Sequence, residues 1–221
     1  MAGIGFGLDT VTLITAGASP IMRVSLGEDL VWPVSPGSES EVFDVVGPYT
    51  YEIPDWCNFL DIVLVGGGAG GNGGSASFAS GHGGFAGVWQ GITLQRGQHI
   101  ARSVAEITGV VGDGGNAGAG GPVGGIGGSG FASTATAVGW AGLTAIGGEP
   151  RPRLGLLHRP GDGPGDFLFN SVNYVGGAET TSGNGTPGNA PGGAGRGGNG
   201  GVSSGSPGGK GGAGRVWIRA Y

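Results

Sequence analysis

Apolar and polar positions alternate along several short stretches of this chain, and nowhere do apolar residues recur with a helical period. Tyr49-Thr-Tyr51-Glu-Ile53 alternates and stops at Pro54. Arg215-Val-Trp217-Ile-Arg219-Ala-Tyr221 alternates over its whole length. A period of two is the mark of a half-buried strand. The strongest strand runs over residues 59–65, where Leu60, Ile62, Val63, Leu64 and Val65 are nearly continuous. Further strands are expected at 42–46, 87–94 and 99–111, two within 131–146, and short ones at 167–169 and 172–175. Residues 21–26 and 30–32 flank Gly27-Glu-Asp29, a hairpin signal. Pro33 and Pro36 end that hairpin, and residues 35–41 read as a polar linker.

Between these strands lie glycine tracts with a period of three. In 66–75, one row holds Gly66, Ala69, Asn72 and Ser75, while Gly67, Gly70, Gly73 and Gly68, Gly71, Gly74 make two pure glycine rows. The rule returns at Gly120–Gly130 around Val123, Ile126 and Ser129. It recurs from Gly193 around Arg196, Asn199 and Val202, and at 207–214 around Pro207, Lys210 and Ala213. A three-residue period fits a left-handed helix of the polyproline II type, which has no internal hydrogen bonds. One such helix cannot stand alone, because its amides and carbonyls need partners. Several together satisfy one another. The expectation is an all-β fold, a β-sandwich or jelly-roll-like body, with its glycine-rich loops packed as a polyglycine II helix bundle. On the glycine rows, replacing Gly70 or Gly124 by Val should disrupt folding. On the third row, a change such as Asn72→Ser should be mild.

Composition sharpens this picture. Glycine supplies 58 of 221 residues and charged residues only 11%. The net charge is −5 and five Trp are present, so the chain lacks the high charge and low hydropathy of disorder. Before residue 62 the acids face only Arg23, whereas beyond 150 bases outnumber acids. Nothing is basic enough for a nucleic-acid footprint. No apolar run is long enough for a membrane span, and the N-terminus lacks the basic region of a signal peptide. Synthesis as a soluble cytoplasmic chain is expected. Cys57, the one cysteine, excludes an intrachain disulfide framework and is expected to be buried and inert.

Candidate chemistry is sparse. Asp61-Ile-Val-Leu-Val-Gly66-Gly67-Gly68-Ala-Gly-Gly71 matches a strand followed by G-x-G-x-x-G, but no helical pattern follows and no acid stands between Asp61 and Glu106, so a dinucleotide site is rejected. Pro207-Gly-Gly-Lys210-Gly211 lacks the P-loop's Ser or Thr and its first glycine. Gly161-Asp-Gly-Pro-Gly-Asp166 partly resembles a calcium nonapeptide repeat, with Asp162 and Asp166 as its ligands; it occurs once, and a surface turn is the plainer reading. His82, His99 and His158 have no ligand spacing. No catalytic residues, metal or cofactor are expected. The one charged insertion in the glycine-rich half carries Arg151, Arg153, His158 and Arg159 on a Pro-stiffened stretch. Its donors suit acidic or sugar ligands; a plain connecting loop or a subunit contact is the alternative.

A series of segments then resembles a known family. It starts at Phe43 and Tyr51-Glu-Ile-Pro54 and continues with Phe59-Leu-Asp-Ile-Val-Leu-Val-Gly-Gly-Gly68, Ile92-Thr-Leu94 and Arg96-Gly97. Val111-Gly-Asp-Gly-Gly115, Gly128-Ser-Gly-Phe131, Leu143-Thr-Ala-Ile-Gly-Gly148 and Gly212-Ala-Gly-Arg-Val-Trp-Ile218 complete it. This is similar to the glycine-rich domain of tailed-phage minor tail and tail-tip proteins, those of mycobacteriophages above all. The resemblance implies an N-terminal arm, hairpin and linker over 1–41 for attachment and a glycine-rich β domain over 42–221. It also implies a structural, non-enzymatic virion part at the tail tip or fibre, touching the host surface as an adhesin, with a surface glycan or lipid as candidate receptor. Other tail proteins would be partners, and a homo-oligomer, a trimer above others, is expected through the apolar arm and hairpin 1–33, where Ile4, Phe6, Leu8, Val11, Leu13 and Ile14 sit on a segment too short to bury them alone. Two alternatives stay open: a purely architectural tail subunit, and a mycobacterial glycine-rich cell-surface protein, whose repeats are similar but whose helical N-terminal domain has no counterpart here.

Overall fold

The computed structural model describes residues 37–152 and 160–221, together with the backbone of five short strands outside them. Four of those form two hairpins, β1 (Ile14–Ala16) with β2 (Ser19–Ile21) and β3 (Val24–Leu26) with β4 (Asp29–Trp32). Then follow β5 (Glu39–Phe43), β6 (Gly47–Glu52), β7 (Phe59–Val65), β8 (Ser80–Gly81), β9 (Trp89–Gln95) and β10 (Glu106–Val111). The remainder are β11 (Ser133–Ala137), β12 (Trp140–Ala145), β13 (Leu154–Gly155), β14 (Phe167–Phe169), β15 (Val172–Tyr174) and β16 (Arg215–Ala220). Every strand pairing is antiparallel, and the described residues hold no helix. The fold is all-β.

Two four-stranded sheets, β5-β16-β7-β9 and β12-β11-β10-β6, share one hydrophobic core. Alternation decides which residues enter it. Leu60, Ile62 and Leu64 of β7 and Val216, Ile218 and Ala220 of β16 face Tyr49, Tyr51, Ile107, Val111, Ala135 and Ala145 of the other sheet. The tyrosines need room. A Cβ on Gly109 would lie 2.7 Å from the Tyr49 ring, so the glycine in β10 is what admits that side chain.

Two expectations shift. The stretch read as a polar linker contains the start of β5, whose Glu39 pairs with Ala220. An edge strand with exposed residues needs no apolar alternation, and charge on it discourages edge-to-edge pairing. Residues 99–111 yield a strand only from Glu106. Ile100 and Val104 reach the core from a turn instead. That turn is held by the buried Arg96, whose guanidinium donates to the carbonyls of Pro54 (2.9 Å), Arg102 and Val104 (3.3 Å).

The glycine tracts leave the sheets at one end and return. Tract 66–75 follows β7 and is surrounded by the others. All ten of its amides donate to carbonyls, and the acceptor changes with the row. Gly67, Gly70 and Gly73 donate to Phe131, Gly128 and Gly125. Gly68, Gly71 and Gly74 donate to Gly212, Gly209 and Ser206. Ala69, Asn72 and Ser75 donate to Phe85, His82 and Ala79. Its own carbonyls accept from Gly115 and Gly118 on one side and from Gly195, Gly198 and Gly201 on another. Each partner series steps by three residues.

The pure glycine rows have a steric cause. A Cβ on Gly67, Gly70 or Gly73 would lie 1.9–2.0 Å from the carbonyl oxygens of Asp113, Asn116 and Ala119. On Gly68, Gly71 or Gly74 it would lie 2.1 Å from those of Gly193, Arg196 and Asn199. These are backbone atoms fixed by their own hydrogen bonds, so no rotamer relieves the overlap. The third row does carry side chains, but Asn72 is fully buried, not solvent-facing. Its Oδ1 accepts from Gly127 N at 2.9 Å, and its Nδ2 donates to the carbonyls of Arg151 (3.0 Å) and Pro152 (3.3 Å). The expected tolerance at Asn72 is corrected accordingly: serine is too short to make both contacts.

Candidate functional site

The tract reversals lie together. Ala76 N donates to Pro122 O, Ser77 N to Val202 O and Phe78 N to Gly201 O. Asn184, in the reversal marked by positive φ at Gly183 and Gly185, accepts from Asn199 N and donates to Ser206 Oγ. β13 pairs with β8, Leu154 opposite Gly81. Four reversals and the entry to segment 153–159 therefore share the end of the array farthest along the chain from the sheets. Three large apolar side chains stand out at this end: Phe78 is 71% exposed, Val123 61% and Val202 77%. Ser77 and Phe78 both have positive φ, 60° and 62°. Two consecutive non-glycine residues in the left-handed region are costly, and such strain concentrates at functional sites.

The structure places some of the residues singled out in the sequence. Arg153, His158 and Arg159 lie outside the described residues. Arg151 is engaged inside the fold. Its Nη1 donates to Pro160 O at 2.9 Å, its Nη2 pairs with the Asp162 carboxylate, and its guanidinium stacks 4.4 Å from the Phe85 ring centre. Asp162 is thus taken by Arg151, while Asp166 accepts from Asn173 Nδ2 (3.1 Å) and Gly176 N (3.2 Å). Lys210, in the fragment compared with a P-loop, pairs with Asp113 at 2.8 Å. Every amide of Gly66–Gly71 already donates to a protein carbonyl, so that glycine run has no donor turned towards a phosphate. Cys57 is buried, and burial pushes its thiol pKa up.

A second polar centre had little signal in the sequence. It lies on the outer face of the β5-β16-β7-β9 sheet, under the β14–β15 hairpin. Asp61, fully buried, accepts on Oδ1 from Thr93 Oγ1 (2.7 Å), Asn170 Nδ2 (2.8 Å) and the Tyr221 hydroxyl (3.2 Å). Its Oδ2 faces Arg219 Nη2 at 3.1 Å, a charge contact without hydrogen-bond alignment. Asn170 and Ser171 have φ of 44° and 62° in a two-residue hairpin loop, the geometry that matches strand twist. Beside this network an aromatic row runs Phe169, Phe167, Trp89, Trp217, Tyr174, with neighbouring ring centres 5.4–6.1 Å apart. Gly91 makes the seat: a Cβ there would lie 3.0–3.1 Å from Phe167 and Phe169.

An all-β body whose glycine tracts hydrogen-bond side by side defines a class, and comparison places the chain in it: residues 44–221 match the glycine-rich domain family, to which the chain belongs. Two relatives, both called Gene 32 protein, come from mycobacteriophages. The one from Mycobacterium phage L5 is 44% identical over 189 residues, spanning 84% of this chain and 86% of its own length. The one from Mycobacterium phage D29 is 41% identical over 225 aligned positions, spanning the whole of both chains. Among the described residues no helix is long and apolar enough to cross a membrane.

Proposed function

We propose that this chain is a structural, non-enzymatic component of a phage tail, at the tip or fibre, and that the distal end of its tract array faces the host. In this reading the tracts form a polyglycine II bundle, supported by hydrogen-bond partners that step by three residues around tract 66–75. The observation that carries the reading is the gathering of the tract reversals at one end, with Phe78, Val123 and Val202 exposed there. Loops held on a rigid scaffold are the usual place for recognition. The phage origin of two relatives supports a virion part. A homotrimer joined through the N-terminal arm belongs to the same reading, and a monodisperse monomer by light scattering would remove that element.

The architectural alternative has one observation in its favour: Arg151 serves the fold itself. Virions carrying Arg153→Ser and Arg159→Ser together with Phe78→Ser separate the two. Normal assembly with poor adsorption is expected for a host-contacting end. Normal adsorption would remove these residues as the contact, and failed assembly would favour the scaffold. Absence of the protein from purified virions, by mass spectrometry, would end both readings.

A further inference from the structure

The outer face of the β5-β16-β7-β9 sheet is only partly covered. The β14–β15 hairpin seats Phe167 and Phe169 over Gly91 of β9 and is tied down by Asn170 to Asp61. Beside β15 the face opens into a cleft of about 530 Å³ lined by Trp217, Tyr174, Arg215, Arg219, Asn173 and Ser40, among others. That volume lies within the usual range of ligand sites. We propose that this cleft binds an anionic oligosaccharide, with the Trp217 indole as its platform and Arg215 and Arg219 as donors to its acid groups.

Register and charge carry the argument. Arg215, Trp217 and Arg219 are at positions i, i+2 and i+4 of β16 and so share one face. The strand rise puts the two arginine Cα atoms roughly 13 Å apart with the indole between them. That span suits a chain of sugar rings better than a single ring. Val42, opposite Trp217 in the register and 48% exposed, lies on the same sheet face outside the cleft lining. The lining holds two guanidinium groups, an amide and hydroxyls, with no carboxylate; Arg219 keeps its pair with the buried Asp61 beneath the face, and its remaining N–H groups are the ones offered to a ligand. A guanidinium fork matches carboxylate or sulfate geometry through paired donors.

Arg215 is available for such a ligand. Among the described residues its one ionic partner is Asp44 at 3.7 Å, a half-exposed carboxylate, and its Nε is buried with no hydrogen-bond partner there. The guanidinium lies over the Trp217 ring, 5.7 Å from its centre, so an acid group held by Arg215 would lie next to the part of the indole it leaves open. Hairpin docking explains Trp89, Phe167 and Phe169 but not this arginine. A single-stranded nucleic acid would also stack and pair with arginines, but its charge at every phosphate needs a track of cations, and the cleft lining holds two.

The test presents the full chain to immobilised oligosaccharides bearing uronate, sialate, sulfate or phosphate, beside neutral counterparts and a thymidine oligonucleotide. The best binder is then titrated by calorimetry against wild type, Arg215→Gln and Trp217→Phe. The Arg215 side chain makes no hydrogen bond in the described fold, and its backbone pairing with Val65 does not depend on it, so Arg215→Gln should fold normally, as circular dichroism checks. Retention of an anionic glycan above the neutral set is expected, with affinity falling about tenfold in Arg215→Gln and falling also in Trp217→Phe. The proposal is overturned if no anionic glycan is retained, if neutral glycans bind as well, if the oligonucleotide binds more tightly, or if Arg215→Gln binds unchanged. It is independent of the tail-tip reading, since the purified chain can bind whether or not it is a virion part.

Discussion

The side chain of Asn72 donates to the main-chain carbonyl of Arg151, 79 residues further on, at 3.0 Å. With its acceptor bond from Gly127 N, it ties three separate stretches into one array. Replacing it by alanine leaves a buried amide and two carbonyls short of partners, a loss of about 3 kcal/mol. Asn72→Ser should lose about 2 kcal/mol. Urea midpoints at fixed m-value measure both; a serine variant as stable as wild type would show that the pin is dispensable.

The glycine rows predict a contrast between close neighbours. A Cβ on Gly70 meets Asn116 O at 1.9 Å, whereas one on Gly128 finds nothing nearer than Asn116 N at 3.1 Å. Gly70→Ala should fail to fold or lose more than about 4 kcal/mol, beyond the usual range of single substitutions. Gly128→Ala should stay within about 1 kcal/mol, because the overlap is small and the unfolded chain loses entropy. Equal stability of the two variants would contradict the steric account.

On the outer face, Asp61→Ala leaves Arg219 without its buried partner, at a cost of about 3 kcal/mol. Asn170→Gly keeps the positive φ of the hairpin loop and removes only the two side-chain bonds. Hydrogen exchange should then quicken over 167–174 while residues 60–64 stay protected. Unchanged protection of the hairpin would mean that its aromatic seat alone holds it.

Alkali should weaken the fold through Tyr49 and Tyr51, two of its buried tyrosines. Burial pushes the Tyr49 phenol above the usual range, and for Tyr51 burial is reinforced by the charges of Cys57, Glu39 and Glu41. The folded pKa lies above the unfolded value near ~10. Stability from this source is full below pH ~10 and falls as pH rises towards the folded value. The loss should reach about 1.4 kcal/mol per tyrosine by pH 11. The Tyr51 hydroxyl is buried with no partner, so Tyr51→Phe should cost little at pH 8 and flatten the decline. Midpoints at pH 8 and pH 11 that fall equally in both proteins would place the titration elsewhere.

Much of the body was legible because its strands alternate: β6, β7, β9 and β16 follow their apolar patterns. The three-residue glycine period was legible as well, because rows without Cβ atoms are a local feature of the sequence. What escaped are properties that depend on distant partners. Asp61 drew notice only as the start of the stretch compared with a dinucleotide motif; its meaning comes from Thr93, Asn170, Arg219 and Tyr221. Asn72 looked like a tolerant spacer, since nothing local reveals that Arg151 and Pro152 close over it. Arg151 carried the visible chemistry of a loop, yet its donors turn inward. The return tract 79–88 was missed because Phe85 and His82 break the glycine rows while their carbonyls still accept in register.

β16 lies between β5 and β7, and tract 205–214 hydrogen-bonds to 66–75 and 112–121. On the ribosome, therefore, the first sheet waits with a gap where its last-made member belongs. The innermost tract waits with a third of its amides facing water. Closure is a late event that draws on pieces separated by nearly the whole chain, the situation in which folding is slow and depends on non-local contacts. Until then the nascent chain presents unpaired strand edges and bare glycine backbone to its surroundings, and synthesis of residues 205–220 is what ends that exposure.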